Sequence, residues 1–260
     1  MVLTDINTQG IARVVLNRPE KHNAFDDDMI AELRGHFDSL AQQSDARIVI
    51  VASNGKNFSA GADLGWMKRM ASYDYQDNLR DARGLAGMLK ALHELPQPTI
   101  ASVQGGAFGG AVGLVSCCDM AVATDDASFC FSEAKIGLIP ATIGPYVVRA
   151  IGERAARRYF TTAERFSARE AHRLGLISET CAPDKLDETV TGLCDALLAN
   201  GPEAVRAAKK LVADIAGEPL SEELIEDTCQ RIANIRVSPE GQEGLSAFLT
   251  KSRPSWLEHS

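Results

Sequence analysis

The sequence lacks several features that would point to a metal, redox or membrane protein. Its six cysteines form no CxxC pair and its five histidines are scattered, so neither a zinc site nor a redox motif is indicated. No uninterrupted apolar stretch approaches the length of a transmembrane helix. The first ten residues, MVLTDINTQG, lack a basic region followed by an apolar run, and no signal peptide is expected. These absences predict a soluble, cytoplasmic protein without a metal or a membrane partner.

Nucleotide-binding and hydrolase signatures are also missing. The stretch 104–119 reads QGGAFGGAVGLVSCCD, and no register of its glycines gives the G-x-G-x-x-G spacing that a dinucleotide requires. Neither a phosphate-binding P-loop nor the G-x-S-x-G nucleophile motif occurs. The net charge of −8 and the pI near 5.2 argue against a nucleic-acid partner. The glycines of this stretch therefore need another explanation.

Strand and helix patterns alternate in the first half of the chain. Short β-branched or apolar runs predict strands at 11–17, 47–53, 99–105 and 119–124. Apolar residues at helical spacing predict helices at 26–43 and 73–95, and a buried helix within 104–119. From Pro145 onward the pattern is mostly helical. This order predicts an α/β fold with a mainly parallel sheet and a helical C-terminal region.

Two stretches of small residues each follow a predicted strand and precede a helix. One is 104–119, and the other is FSAGADLGW at 58–66. Small residues at the start of a helix leave backbone N–H groups unpaired, and such donors can bind a developing oxyanion. Taken singly, each loop is better explained as a tight, closely packed turn, but two such loops together favour a binding role. Sequence spacing does not decide whether the two loops converge.

Three motifs, in this order, resemble the crotonase superfamily, the enoyl-CoA hydratases and isomerases: FSAGADL, GGAFGGA and FSEAKIGLIPATIGPYVVRAIG. LNRPEKHNAF and EGLSAFLTKSRPSW fit the same pattern, so the resemblance covers nearly the whole chain. It implies a crotonase-like spiral of β-β-α turns over 1–195 and a helical region over 196–260 that mediates trimers, often paired as hexamers. It also implies an acyl-CoA thioester as substrate, with no cofactor beyond that CoA.

The resemblance assigns roles to four positions. Ala62 and Gly110 are the backbone donors that hold the thioester carbonyl, and Glu133 is the catalytic acid and base. Hydratases of the family carry a second glutamate three residues after the second donor, where this sequence has Gly113. Two further glutamates are expected on exposed helix faces, Glu153 and Glu170.

The CoA part of the substrate is expected to contact four regions: the N-terminal turn, the two loops and the C-terminal helix. The positions implied by the resemblance are Lys21, Ala24, Ala60, Asp63, Leu64, Gly65, Gly109, Phe248 and Lys251. Phe248 and Lys251 reach CoA from a neighbouring subunit in many members of the superfamily.

The sequence around the site is most similar to the methylglutaconyl-CoA and carboxygeranoyl-CoA hydratase group. That similarity implies addition of water to 3-methylglutaconyl-CoA, a step in leucine breakdown. A substrate with a second carboxylate needs a cation, and the candidates are Lys68, Arg69, Arg80 and Arg83.

Alternatives to hydration remain open from the sequence, and they include decarboxylation and thioester hydrolysis, because the resemblance implies the same pair of donors for these reactions. A single carboxylate also suits an isomerase, which moves a proton between C4 and C2 of an enoyl-CoA. A non-catalytic paralogue is a further alternative, and an RNA-binding one is disfavoured because residues 26–43 carry one arginine and several acids.

Overall fold

Five strands from the first half of the chain and one from the second half form a six-stranded sheet with the order β1-β2-β3-β4-β6-β9. The computed structural model describes residues 1–257; residues 258–260, which include His259 and the end of the predicted region 196–260, lie outside the described part. β1 and β2 pair antiparallel, and the other neighbours pair in parallel, as predicted. The strands of the described part are Val2–Ile6 (β1), Ile11–Leu16 (β2), Ile48–Ser53 (β3), Thr99–Val103 (β4), Gly106–Phe108 (β5), Met120–Thr124 (β6), Ser128–Cys130 (β7), Phe166–Ser167 (β8) and Glu179–Cys181 (β9).

Helices connect the strands and form most of the second half of the chain. In the described residues they are Asp27–Leu40 (α1), Leu64–Met70 (α2), Tyr75–His93 (α3), Gly110–Cys117 (α4), Gly144–Thr162 (α5), Ala168–Leu174 (α6), Leu186–Leu198 (α7), Pro202–Ile215 (α8), Glu222–Val237 (α9) and Pro239–Thr250 (α10). Short 3-10 helices lie at Pro19–Lys21, Glu133–Ile136, Pro183–Lys185 and Ser255–Leu257. Aspartates begin three of the helices by accepting bonds from their first-turn N–H groups: Asp26, Asp63 and Asp74.

β3 is buried on both faces, which explains its continuous apolar sequence. Val49 and Val51 face the larger core, which includes residues of α1, α3 and α4. Ile48 and Ile50 face a second core, to which α7 contributes Val190, Cys194 and Leu198. The sheet is therefore covered by helices on both sides, as the sequence predicts.

A second sheet of three strands, β5-β7-β8, begins inside the glycine-rich stretch. The sequence predicts helix directly after β4, but Gly106–Phe108 are extended and pair with β7 before α4 starts at Gly110. The extended conformation is favoured because Ser59 N–H donates to the Gly106 carbonyl (3.1 Å) and Phe108 N–H donates to the Ser59 carbonyl (3.0 Å). This pairing joins the two small-residue stretches side by side.

The C-terminal helices α8, α9 and α10 pack on one another, and several of their apolar side chains stay exposed. The predicted division between 195 and 196 falls inside α7, and it stays a prediction. Among residues 1–257, no helix is long and apolar enough to cross a membrane. The cytoplasmic location stays a prediction as well.

Candidate active site

The first loop holds Ala62 between two main-chain bonds to Phe25. Phe25 N–H donates to the Gly61 carbonyl and Asp63 N–H donates to the Phe25 carbonyl, both at 2.7 Å. The N–H of Ala62 itself has no acceptor in the described part of the chain. The residue is exposed, and its backbone donor is free for a ligand to accept from.

The second loop leaves the N–H of Gly110 equally free. Gly110 is the first residue of α4, so its N–H has no partner within the helix, and no other acceptor among residues 1–257 takes it. The preceding residue, Gly109, has φ 55° and ψ −122°, a conformation that residues with a Cβ rarely adopt. This sharp turn lets the chain pass from β5 into α4 with the Gly110 donor uncovered.

The structure brings the two loops into direct contact. Gly61 has φ 91°, and a Cβ on it would lie 3.0 Å from the Phe108 carbonyl oxygen. A Cβ on Gly110 would lie 3.5 Å from the Phe25 ring, and Phe25 is the residue that brackets Ala62. Both free N–H groups therefore belong to residues beside Phe25: Ala62 lies next to its main chain and Gly110 next to its ring. Glycine at 61 has a positional reason, since any side chain would push the loops apart.

Glu133 lies beside the second loop. The Gly109 N–H donates to the carbonyl of Cys130 at 2.9 Å, which ties the end of β7 to the turn before Gly110. Three residues later Glu133 begins a 3-10 helix, and its Oε1 would be 3.2 Å from a Cβ on Gly109. Glycine at 109 thus makes room for the carboxylate.

The Glu133 carboxylate is half-buried, and no cation of residues 1–257 forms an ion pair with it. Its Oε2 is buried and has no hydrogen-bond partner among the described residues. Burial, which disfavours the charged form, raises the pKa of Glu133 above the ordinary glutamate value. An unpaired carboxylate with a raised pKa next to free N–H donors is the arrangement expected of a general acid and base.

Gly113 lies one helical turn beyond Gly110 and is buried. A Cβ at this position would clash with Ile143 Cγ2, and it would lie 2.9 Å from Ile143 Cβ and 3.4 Å from Leu89 Cδ2. Ile143 is 1% exposed, so it has no room to swing aside. The space that a side chain at 113 needs is filled by an isoleucine.

Six of the nine predicted CoA contacts gather around the first loop. Lys21 Nζ lies 3.3 Å from Asp63 Oδ2, while the Lys21 side chain is half exposed. Ala60 and Leu64 are exposed, whereas Ala24 is buried, and Gly65 N–H donates to Asp63 Oδ1 at 2.7 Å. The exposed members could contact a ligand. Their roles in binding CoA stay predictions.

Asp63 is buried and acts within the protein. Burial alone would raise its pKa, but hydrogen bonds from Gly65 N–H, Lys21 and Trp66 N–H hold the pKa of Asp63 below the ordinary aspartate value. These bonds fix the start of α2, directly after the Ala62 donor. Of the other three predicted contacts, Gly109 lies in the second loop, and Phe248 and Lys251 lie at the end of α10, which packs on α8 and α9.

The structure separates the four candidate cations by their partners. All four are exposed and lie on α2 or α3: Lys68, Arg69, Arg80 and Arg83. Arg69 is paired with Asp27, and Arg80 is paired with Asp77. The other two form no ion pair within residues 1–257. The same described residues contain no cluster of histidine, cysteine and carboxylate side chains that could hold a metal ion.

The two remaining glutamates differ from one another. Glu153 is exposed, as predicted, and pairs with Arg157. The prediction for Glu170 is wrong in part: it is half-buried and bonded to Arg173 (2.7 Å) and to Tyr159 Oη (3.1 Å). The hydrogen bonds from Arg173 outweigh burial and lower the pKa of Glu170 to about 2.

The sequence does not single out the residues that support the two loops, chiefly Arg18, Phe25 and Ile143. Each of them acts through a contact with a distant segment, for which local spacing gives no signal. Trp66 is a further case, because its indole N–H donates to Asp81 Oδ1 at 2.9 Å and ties α2 to α3.

Known proteins are similar to this chain in both sequence and fold. The chain matches the enoyl-CoA hydratase/isomerase family over residues 7–259. It is 47% identical to an enoyl-CoA hydratase of Shewanella pealeana in a crystal structure that superposes with a TM-score of 0.94 and covers 98% of this chain and 95% of that one.

Two curated proteins extend the comparison. Enoyl-CoA hydratase domain-containing protein 3, mitochondrial, of Rattus norvegicus is 30% identical over 95% of this chain and 81% of its own. The 2,3-dehydroadipyl-CoA hydratase of Escherichia coli is 28% identical over 95% of both chains. With two free backbone donors, an unpaired carboxylate and these relatives, the chain belongs to the enoyl-CoA hydratase/isomerase family and has the crotonase fold.

Proposed function

We propose that this protein hydrates a 2-enoyl-CoA, with 3-methylglutaconyl-CoA as its preferred substrate. The observation that carries the proposal is the buried, unpaired Oε2 of Glu133 next to the loop with the free Gly110 N–H. The product of that reaction is 3-hydroxy-3-methylglutaryl-CoA.

The thioester carbonyl oxygen accepts hydrogen bonds from the Ala62 and Gly110 N–H groups. Glu133 takes a proton from water as the water oxygen bonds to C3, and the electron pair of the double bond moves onto the thioester as an enolate. The two donors stabilise this enolate by about 3–4 kcal/mol each, as preorganised oxyanion donors do. Glu133 then returns the proton to C2, so one carboxylate serves as base and as acid.

The acyl group is proposed from similarity and charge. The chain is similar to a hydratase named for 2,3-dehydroadipyl-CoA, a thioester that bears a second carboxylate. Lys68 and Arg83 are the two exposed cations of α2 and α3 without a carboxylate partner in the described residues, and one of them is proposed to face that group.

Assembly and cofactor use complete the proposal. CoA enters with the substrate and no further cofactor is required. A trimer or a pair of trimers is proposed because Phe248 is 82% exposed and Leu249 77% exposed at the end of α10, where a neighbouring subunit would cover them.

The test measures the loss of the conjugated enoyl-thioester absorbance with 3-methylglutaconyl-CoA, followed by mass spectrometry of the product. We expect the mass to rise by one water, with turnover abolished in Glu133→Gln. Glu153→Gln is the matched control, since that glutamate is exposed on α5. It should keep the wild-type rate.

Isomerisation is the second candidate, and the contact between Gly113 and Ile143 favours it. Ile143 leaves no space for a second carboxylate at position 113, and moving a proton from C4 to C2 needs only one carboxylate. No gain of water with 3-methylglutaconyl-CoA or crotonyl-CoA, together with a shifted double bond in a 3-enoyl-CoA, would establish the isomerase instead. If Glu133→Gln behaved as wild type in every assay, the chain would be a non-catalytic member of the family.

A further inference from the structure

Arg18 is a buried cation that joins the starts of two helices next to the first donor. It is 7% exposed, and its guanidinium reaches Asp26 Oδ2 at 2.5 Å and Asp63 Oδ2 at 3.4 Å. Each aspartate also begins a helix: Asp26 accepts from Met29 N–H at 2.9 Å, and Asp63 accepts from Gly65 N–H at 2.7 Å. One guanidinium therefore links the N-termini of α1 and α2.

The two aspartates are the immediate neighbours of the residues that orient the Ala62 donor. Asp26 follows Phe25, and Asp63 follows Ala62. Phe25 is bonded on either side of Ala62, through the Gly61 carbonyl and the Asp63 N–H. The main-chain bonds of Phe25 and the side-chain bonds of the two aspartates thus surround the peptide group of Ala62. The aromatic ring of Phe25 also packs against Gly110, so the same set of contacts extends to the second donor.

We propose that Arg18 is a positioning residue that sets the direction of the Ala62 N–H and, through Phe25, its alignment with the Gly110 N–H. This inference rests on the proposed role of those two groups in holding a thioester carbonyl. Lys21 also contacts Asp63, but it is half exposed and has no contact with Asp26. Arg18 is the buried cation that holds both carboxylates.

Arginine suits this position because its planar guanidinium carries several donors in fixed directions. A lysine keeps the charge but presents a single ammonium on a flexible stem, so it cannot hold both carboxylates in the same geometry. A misplacement on the order of 1 Å at reacting groups costs roughly 100-fold in rate. We therefore expect Arg18→Lys to lower kcat about 10- to 100-fold and to change KM much less.

The decisive measurement reports carbonyl polarisation and not folding. The probe is 4-(dimethylamino)cinnamoyl-CoA, whose absorption band moves to longer wavelength when its thioester carbonyl is polarised by bound donors. Loss of folded protein lowers the amplitude of the shifted band but leaves its position unchanged. Misaligned donors reduce the shift itself. We expect saturated Arg18→Lys to show a smaller shift than wild type.

Arg206→Lys is the matched control, because Arg206 is also partly buried but donates to the carbonyls of Ser44 and Ala46. It should keep the full shift and the wild-type kcat. Asp26→Asn serves as a second variant if Arg18→Lys does not fold, since asparagine can still begin α1 while losing the charge. We expect it to reduce both the shift and kcat.

The outcomes distinguish the role of Arg18 from the existence of the carbonyl-binding site. A full band shift in Arg18→Lys and Asp26→Asn, with kcat within about 3-fold of wild type, overturns the role of Arg18 and leaves the carbonyl site intact. The absence of any shift in the wild-type protein overturns the carbonyl site itself, and the inference about Arg18 falls with it.

Discussion

The contact between Gly113 and Ile143 predicts that an added methyl group at position 113 destabilises the fold. In an exposed helix, Gly→Ala stabilises a protein by about 0.5–1 kcal/mol. At Gly113 the new Cβ would clash with Ile143 and approach Leu89 at 3.4 Å. All three residues are buried, so backbone or side chains must shift.

Overpacking of a well-packed core costs about 1–3 kcal/mol, which exceeds the gain in helix propensity. Gly113→Ala should therefore lower the free energy of unfolding by about 1–2 kcal/mol. Ile143→Ala should cost about 2–5 kcal/mol, because it leaves a cavity. In the double variant the methyl group added at position 113 fills part of that cavity. The stability lost by the double variant should therefore be about 1–3 kcal/mol smaller than the sum of the losses in the two single variants.

The measurement is urea unfolding of the four proteins at one protein concentration, followed by tryptophan fluorescence. Two results would refute the reasoning. One is a Gly113→Ala protein more stable than wild type, which would mean that the position is open. The other is strict additivity in the double variant, which would mean that residues 113 and 143 do not touch.

Four further predictions concern the donors and the carboxylate. Gly109→Ala should cost about 1–3 kcal/mol in stability and most of the activity, because position 109 has positive φ and faces Glu133 Oε1 at 3.2 Å. Gly110→Ala should keep the wild-type stability and activity, since its Cβ would make only ordinary van der Waals contacts. Glu133→Gln should lower kcat roughly 100-fold or more, because proton transfer is lost. The activity of the wild type should fall with acid at a pH above the ordinary glutamate range, because burial raises the pKa of Glu133.

The raised pKa also fixes the sign of a stability effect. A carboxyl group with a higher pKa in the folded state favours folding when it is protonated, below its unfolded pKa of about 4.3. That contribution is lost as the pH rises through the folded pKa. Glu133→Gln should therefore unfold at a higher temperature than wild type near pH 7 and at the same temperature near roughly pH 4.

Each of these predictions has a clear contrary result. Equal losses in Gly109→Ala and Gly110→Ala would mean that the backbone angle at 109 is unimportant. An acid limb at the ordinary glutamate pKa, or no gain in thermal stability of Glu133→Gln near neutral pH, would mean that this carboxylate is solvated. The measurements are kcat, a pH profile of kcat/KM and thermal unfolding.

Four of the six strands of the main sheet, β2, β3, β4 and β6, and the helices α1 and α3 could be predicted from the sequence because their signals are local. Asp26 caps α1, Asp27 and Asp28 form its first turn, and the apolar run of β3 indicates a strand covered on both faces. The short strands β8 and β9 have two and three residues, too few for any periodicity. β5 was missed because its pairing depends on Ser59, which lies in a different segment.

The candidate site was predictable only as far as its residues lie in motifs. The resemblance points to Ala62, Gly110 and Glu133, and the structure places the last two beside the turn at Gly109. The convergence of the loops, the isoleucine against Gly113 and the guanidinium beneath Asp63 arise from contacts between segments far apart in the chain. Spacing within one segment carries no information about such contacts.

The two proposed carbonyl-binding donors are main-chain groups, and this has a genetic consequence. Every amino acid except proline carries a backbone N–H, so only a substitution to proline at position 62 or 110 deletes the donor itself. The proposed proton-transfer group, in contrast, is a side chain, that of Glu133, and any substitution there changes it. A single substitution can therefore remove the proposed proton transfer while it leaves both backbone donors in place.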